Sequence, residues 1–309
     1  MKLQKNILIV RNDRFGEFLL NIPAIRAVKE TFVGSNIILA VDHRVKELAE
    51  KVPYSDEIIT WRSGKHSLLE IVKFSNLLKK KNIGTAVVMN PSKDTNIAVY
   101  MAGIPVRAGY AHKWDFLLTK KIEDLKHLSQ KHEVEYNLDL VKVIDAETKD
   151  KALVLKIDNV ISKENIVLIH PWTSDPVKQW PKERFVALAL RVLKETDLDV
   201  AIIGGPEEMQ KSAMFDNLDK RIKNLTGKTT LVELALILKK SKLLISGDSG
   251  PVHMACAVGT PVIALFRNDM PGKEPKRWGP WGEGNVVIEK NSLLDISVDD
   301  VLAKIKQYR

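Results

Sequence analysis

Residues 243–266 read L-L-I-S-G-D-S-G-P-V-H-M-A-C-A-V-G-T-P-V-I-A-L-F. An apolar run, 243–246, stops at a glycine. Gly247 and Gly250 permit a tight backbone turn. Pro251 suits the first helical position, where no N–H is required. Gly259 stands where a residue just beyond a helix end belongs, and Pro261 precedes a second apolar run, 262–266. Strand, turn, helix and strand in this order form one unit of a parallel sheet. A helix N-terminus at the carboxyl end of a strand is an anion site. The N–H groups of 249 to 252 point out of it, and the helix dipole adds to their pull. His253, in the first turn, can donate to a phosphate oxygen. The alternative is a purely structural junction in which Asp248 or Ser249 only caps the helix.

The same alternation extends in both directions. Upstream, the spacing gives strands at 166–169 and 200–203, with helices at 182–194 and 231–240. Downstream, a last helix is expected at 298–307. In the first half, strands are expected at 7–10, 37–41, 57–60 and 86–89, with helices at 18–31, 44–51, 68–80 and 133–144. Charged stretches without helical period, 146–151 and 156–165, separate the halves. The boundary is placed near Ser162, giving an N-terminal domain 1–161 and a C-terminal domain 162–309. Two domains suit 309 residues. The fold class is α/β, with two doubly wound Rossmann-like domains. In such sheets ligands sit at the carboxyl ends of strands, here in a cleft between the domains.

Composition removes several classes. No apolar run reaches the ~18 residues that span a bilayer. The basic start is followed by only four apolar residues before Arg11, so no secretory signal is expected. One cysteine, Cys256, forms no internal disulfide, so a reducing cytoplasm is expected. The net charge of +9 favours anionic partners or plain solubility. No nucleic-acid partner is expected, because basic and aromatic residues do not interleave in a known pattern. T-G-K-T-T at 226–230 imitates the end of a phosphate-binding loop, but position 222 is Ile where the pattern needs Gly, and no clear strand precedes it. No G-x-G-x-x-G follows the first strand, so no nicotinamide cofactor is expected. The histidines lack metal-site company, and no metal site is expected.

Three further junctions carry chemistry. In 169–185, I-H-P-W-T-S-D-P-V-K-Q-W-P-K-E-R-F, Thr173, Ser174 and Lys178 follow a strand and suit a diphosphate. Trp180 reads as a packing anchor, and Lys178 also fits as a surface charge. In 202–209, I-I-G-G-P-E-E-M, Glu207 and Glu208 follow a strand; they suit ribose hydroxyls and equally the first turn of a helix. In 10–20, V-R-N-D-R-F-G-E-F-L-L, four charges stand at a strand-to-helix turn, and Gly16 lets a ligand approach the backbone. Arg11 and Arg14 either meet acids of an acceptor or pair with Asp13 and Glu17.

Taken together, 7–29, 102–110 (A-G-I-P-V-R-A-G-Y), 170–185, 204–208 (G-G-P-E-E), 247–255 and 277–282 (R-W-G-P-W-G) resemble glycosyltransferase family 9, the heptosyltransferases of lipopolysaccharide core assembly. The resemblance implies a GT-B fold and an inverting, metal-independent transfer from a nucleotide-diphosphate sugar, usually ADP-heptose. The sugar nucleotide is a substrate, and no cofactor is implied. It further implies a donor on the C-terminal domain, an acceptor on the N-terminal domain, and a final helix that crosses back to the N-terminal domain.

On the matching positions, Asp248, Ser249, Gly250 and His253 would hold the donor diphosphate. Lys178 would neutralise phosphate charge and serve catalysis by that route. Thr173 and Ser174 fall near the family's hydroxyl positions, Glu207 or Glu208 near the ribose, and Thr229 at the adenine pocket. Glu17 departs from the family, which usually has Asp there as catalytic base. It is one methylene longer, and Asp13 is a second acid able to take the role. Arg11, Arg14 and Gly16 would then meet the acceptor, an anionic lipid-linked glycan, at the inner face of the cytoplasmic membrane. The alternatives are a family enzyme with another nucleotide sugar or acceptor, and a nucleotide-binding module without activity.

Overall fold

The computed structural model describes residues 6–112, 114–158 and 162–308. The basic residues at the N-terminal start and the proposed boundary at 161 lie outside them, or at their edge. The chain forms two compact units. One comprises Met1–His127 with Glu133–Ala152, the other Leu128–His132 with Leu153–Arg309.

In the first unit the chain runs β1 (Asn6–Val10), α1 (Phe15–Leu19), α2 (Ile22–Thr31), β2 (Asn36–Val41), α3 (Lys46–Ala49), β3 (Glu57–Thr60), α4 (Leu68–Lys80), β4 (Thr85–Val88), α5 (Lys93–Met101), β5 (Val106–Ala111), β6 (Lys120–Glu123) and α6 (Glu133–Lys142). The strands order as β3-β2-β1-β4-β5-β6, every neighbouring pair parallel. β1 and β4 are central and read as continuous apolar runs, because both faces are covered by helices.

The second unit runs β7 (Ile166–His170), α7 (Lys182–Glu195), β8 (Asp199–Ile202), α8 (Met209–Ser212), β9 (Ile222–Asn224), α9 (Leu231–Lys240), β10 (Leu243–Gly247), α10 (Gly250–Val258), β11 (Val262–Arg267), α11 (Pro275–Trp278), β12 (Val286–Lys290) and α12 (Val298–Ile305). Its sheet, β12-β11-β10-β7-β8-β9, is parallel throughout and follows the same permutation as the first. Trp180 is fully buried with Phe185 edge-on to it, and its indole N–H donates to Ile296 O at 3.0 Å. Val301, Leu302 and Ile305 of α12 join this core, and α12 packs on α7.

The helix expected at 18–31 is two helices. Pro23 stands at the start of α2, and a proline ring admits no helical hydrogen bond from its own nitrogen. The chain therefore turns at Leu20–Asn21, and Asn21 Nδ2 donates back to Glu17 O at 2.7 Å. A short strand, β9, does precede 226–230, contrary to expectation; Ile222 is its first residue, so the phosphate-loop glycine is still missing.

In each sheet the winding reverses once, between β1 and β4 and between β7 and β10. At such a point neighbouring loops leave in opposite directions and open a crevice at the strands' carboxyl ends. The turns after β1 and β10, singled out in the sequence, both flank such a point.

Candidate active site

In the first unit Val10 ends β1 and the chain turns into α1, with Glu17 in its first turn. Arg11 is buried. Its Nε donates to Asp13 Oδ1 at 2.7 Å, and its Nη1 lies 3.8 Å from Glu133 Oε1. Of the two readings for Arg11, the geometry is that of pairing within the protein. Arg14 is exposed, while Gly16 is buried under the turn. Across the reversal, Asn90 Nδ2 donates to Asn12 Oδ1 at 3.1 Å, tying the loops after β1 and β4 together.

Glu17 is half-buried, and burial pushes its carboxyl above the ordinary range. The nearby Asp13 carboxylate adds to this, while Arg11 and Arg14 oppose it. A carboxylate with a raised pKa, at the mouth of a strand-end crevice, is suited to accept a proton. Asp13 differs in kind, because its Oδ1 is already engaged by Arg11.

Beneath this turn lies a charged network that the sequence does not advertise. Lys126 Nζ donates to Glu133 Oε1 at 2.6 Å and stands 4.4 Å from the centre of the Tyr110 ring. Asn137 Nδ2 donates to Leu20 O at 3.1 Å. Burial lowers the Lys126 ammonium, with Glu133 acting against it. Glu133 thus lies between Arg11 and Lys126 and fixes the guanidinium that holds Asp13. Only its place at the start of an expected helix was visible in sequence.

In the second unit the loops after β7 and β10 are joined by an ion pair between Lys178 Nζ and Asp248 Oδ2. Gly247 passes close beneath this loop: a Cβ would stand 3.3 Å from Lys178 O, a tight contact. His170, at the end of β7, receives or donates a 3.1 Å bond between Nδ1 and Ser246 Oγ, and Ser246 Oγ lies 2.8 Å from Ser249 Oγ. Burial pushes the His170 imidazole down to about 3, so it is neutral at ordinary pH. Thr173 Oγ1 donates to Asp175 O at 2.8 Å and shapes the loop that carries Ser174. Lys273 Nζ closes on Asp175 Oδ2 at 2.6 Å, a partner the sequence did not reveal.

α10 opens at Gly250, one residue before the start expected at Pro251, and His253 is buried in its first turn. The donor set is smaller than the sequence suggested. Pro251 has no N–H, and the Val252 N–H is spent on Ser249 O at 3.2 Å, which leaves Ser249 and Gly250.

Glu207 and Glu208 lie in a short turn after β8. Glu208 Oε2 accepts from Gly205 N at 2.8 Å, so it caps that turn. Burial, then the neighbouring Glu207, raises the Glu208 carboxyl. Gly227 N donates to Gly204 O at 2.9 Å, bringing the loop of Thr229 beside these glutamates. Glu207, Glu208 and Thr229 therefore form one neighbourhood and Lys178, Asp248, Ser249, Gly250 and His253 another, both at the carboxyl edge of the second sheet. No cluster of three or more metal-ligating side chains occurs among the described residues.

The family model of glycosyltransferase family 9 (heptosyltransferase) matches residues 71–295. Lipopolysaccharide heptosyltransferase 3 of Escherichia coli (strain K12) is 25% identical over 95% of this chain and 90% of its own. Among solved structures, the family 9 glycosyltransferase of Veillonella parvula has a TM-score of 0.86 at 19% identity, covering 100% of this chain and 98% of that one. The E. coli ADP-heptose lipopolysaccharide heptosyltransferase II has a TM-score of 0.83 at 20% identity, covering 98% of both chains. These neighbours share the GT-B fold.

Proposed function

The chain belongs to glycosyltransferase family 9, the heptosyltransferases, and from that premise we propose that it moves heptose from ADP-heptose onto an anionic lipid-linked glycan by an inverting, metal-independent displacement. The observation that carries the proposal is Glu17, an acid with a raised pKa on the first turn of α1, at the position of the family's base. In the displacement an acceptor hydroxyl oxygen attacks the anomeric carbon. Its proton passes to the Glu17 carboxylate while the bond to the diphosphate oxygen breaks and ADP leaves.

Charge on the leaving diphosphate needs donors. Lys178, His253 and the N–H groups of Ser249 and Gly250 supply them. The Lys178–Asp248 pair holds the ammonium ready at the loop between β7 and α7. Asp13 orients rather than accepts, because Arg11 holds it. Thr173 and Ser174 serve the diphosphate, Glu207 or Glu208 the ribose, and the Thr229 loop the adenine. The support for ADP is the solved relative whose donor is ADP-heptose.

Titrating the chain with ADP, UDP, GDP and CMP tests the donor. ADP is expected to bind tightest, and tighter binding of UDP overturns the assignment. Donor hydrolysis or transfer by the wild-type chain separates an enzyme from a nucleotide-binding module.

A further inference from the structure

A flank of the first unit carries exposed aromatic rings that its core does not need. Phe116 is 70% exposed, Tyr100 54% and Trp114 41%. Trp114 and Phe116 lie 5.5 Å apart, centre to centre, on the loop between β5 and β6. Trp114 has a φ of +69°, in the left-handed region. A bulky side chain enters that region only at a conformational cost, yet here the residue keeps 41% of its surface exposed. Folding therefore gains little from this arrangement.

Cations interleave with the rings. Lys93 Nζ stands 4.6 Å over the Trp114 ring, and the Arg107 guanidinium 5.4 Å over Tyr100. Arg107 Nε also donates to Leu117 O at 2.7 Å, which joins the Tyr100 end of the flank to the Phe116 end. Lys121 pairs with Asp115 at 2.9 Å in the same loop. A surface where cations lie over two of three exposed rings is poorly suited to a dry protein interface, whose centre is depleted of charge. It is well suited to a bilayer surface, where tryptophan and tyrosine settle among the headgroups and lysine and arginine meet lipid phosphate.

The geometry points to this flank as a docking surface for an anionic lipid bilayer. Trp114 and Phe116 enter the interface, and Lys93, Arg107 and Lys121 pair with acidic headgroups. β5 lies two strands from β1 in the same sheet, roughly 10 Å away at the usual strand spacing. The Lys93–Trp114 end adjoins the carboxyl edge that carries Glu17, so docking brings that edge close to the lipid surface. This deepens the proposed use of a lipid-linked acceptor, but lipid binding itself requires neither donor nor acceptor.

The test is flotation of the full chain with vesicles of phosphatidylcholine, with and without phosphatidylglycerol, in the absence of substrates. Wild type is expected to float only with the anionic vesicles, and salt is expected to release it. Trp114→Ser with Phe116→Ser should cut partitioning at least about tenfold. Lys93→Gln with Lys121→Gln should cut it about fivefold per charge removed. Lys223→Gln, an exposed lysine of β9 in the other unit, should change nothing. All these side chains are exposed, and unchanged thermal melting checks that the variants fold. Absence of wild-type binding, wild-type binding by the ring variant, or an equal loss from Lys223→Gln overturns the proposal. A raised KM for a water-soluble, deacylated acceptor with unchanged flotation also overturns it, and makes the rings an acceptor subsite instead. ADP titration of the same variants, expected unchanged, separates failure here from failure of the donor reading.

Discussion

Lys178→Met removes one half of the ion pair that joins the loops after β7 and β10, and the consequence for nucleotide binding can be worked out. The Lys178 and Asp248 side chains are 21% and 10% exposed, so the pair is largely out of water. Together they are neutral; without the ammonium the loop has one positive charge fewer beside the Asp248 carboxylate and the diphosphate. A charge-assisted hydrogen bond is lost, at about 1.5–3 kcal/mol. Without Lys178 against it, the Asp248 carboxylate repels each phosphate charge ~6 Å away by roughly 2–3 kcal/mol at an effective dielectric of ~20, before screening reduces it. A net loss of about 3 kcal/mol, or roughly 150-fold in the Kd of ADP, is expected. Asp248→Asn removes the repulsion. Adding it to Lys178→Met should therefore recover about half of the loss, leaving roughly tenfold. Calorimetry with ADP on the four proteins of this double-mutant cycle measures the coupling. Binding by Lys178→Met within threefold of wild type, or a double variant no better than the single one, refutes the electrostatic reasoning.

Three further outcomes are expected. The acid limb of the pH profile of kcat/KM should lie above the ordinary glutamate range, since burial and Asp13 both raise Glu17; Asp13→Asn should move the limb down, and an unmoved limb counts against the assignment. His170 titrates near 3 in the folded chain and near 6.5 unfolded, so its neutral form stabilises the fold above pH ~6.5 and that stability drains away as pH falls towards 3. Urea unfolding should show a loss of roughly 2 kcal/mol by pH ~5 that His170→Asn abolishes. Trp180→Ala should cost about 3–5 kcal/mol in the same assay, because it empties a fully buried site and removes one of the two donors to the Ile296 carbonyl, leaving only Arg184 Nη1.

Most elements with a clean period were legible in sequence. The helices at 68–80 and 231–240 and the strand at 57–60 have their expected bounds, because a capping serine or threonine and a basic last turn mark each of those helices. α5, β5 and β6 were not anticipated. α5 opens K-D-T-N with polar residues on every side, β5 contains Arg107 and Gly109, and β6 is the exposed edge strand K-K-I-E. β12 has only one buried residue, Ile288, which leaves almost no pattern to read.

The site divides in the same way. Glu17, Asp248 and Lys178 stand beside strand ends, so their chemistry shows locally. The partners of these turns come from distant parts of the chain: Glu133 of α6 for Arg11, Asp248 for Lys178, and Asn90 for Asn12. Strand order creates those neighbours, and strand order is not written in any one stretch. Gly16 and Pro23 show the reverse case, since backbone chemistry alone explains the buried turn and the helix break.

Glu17→Gln keeps the size of the side chain and removes its ability to accept a proton. With ADP-heptose and a deacylated lipopolysaccharide core as acceptor, its kcat should fall by about two to four orders of magnitude while the Kd for ADP stays at the wild-type value. Turnover within threefold of wild type would contradict Glu17 as the base.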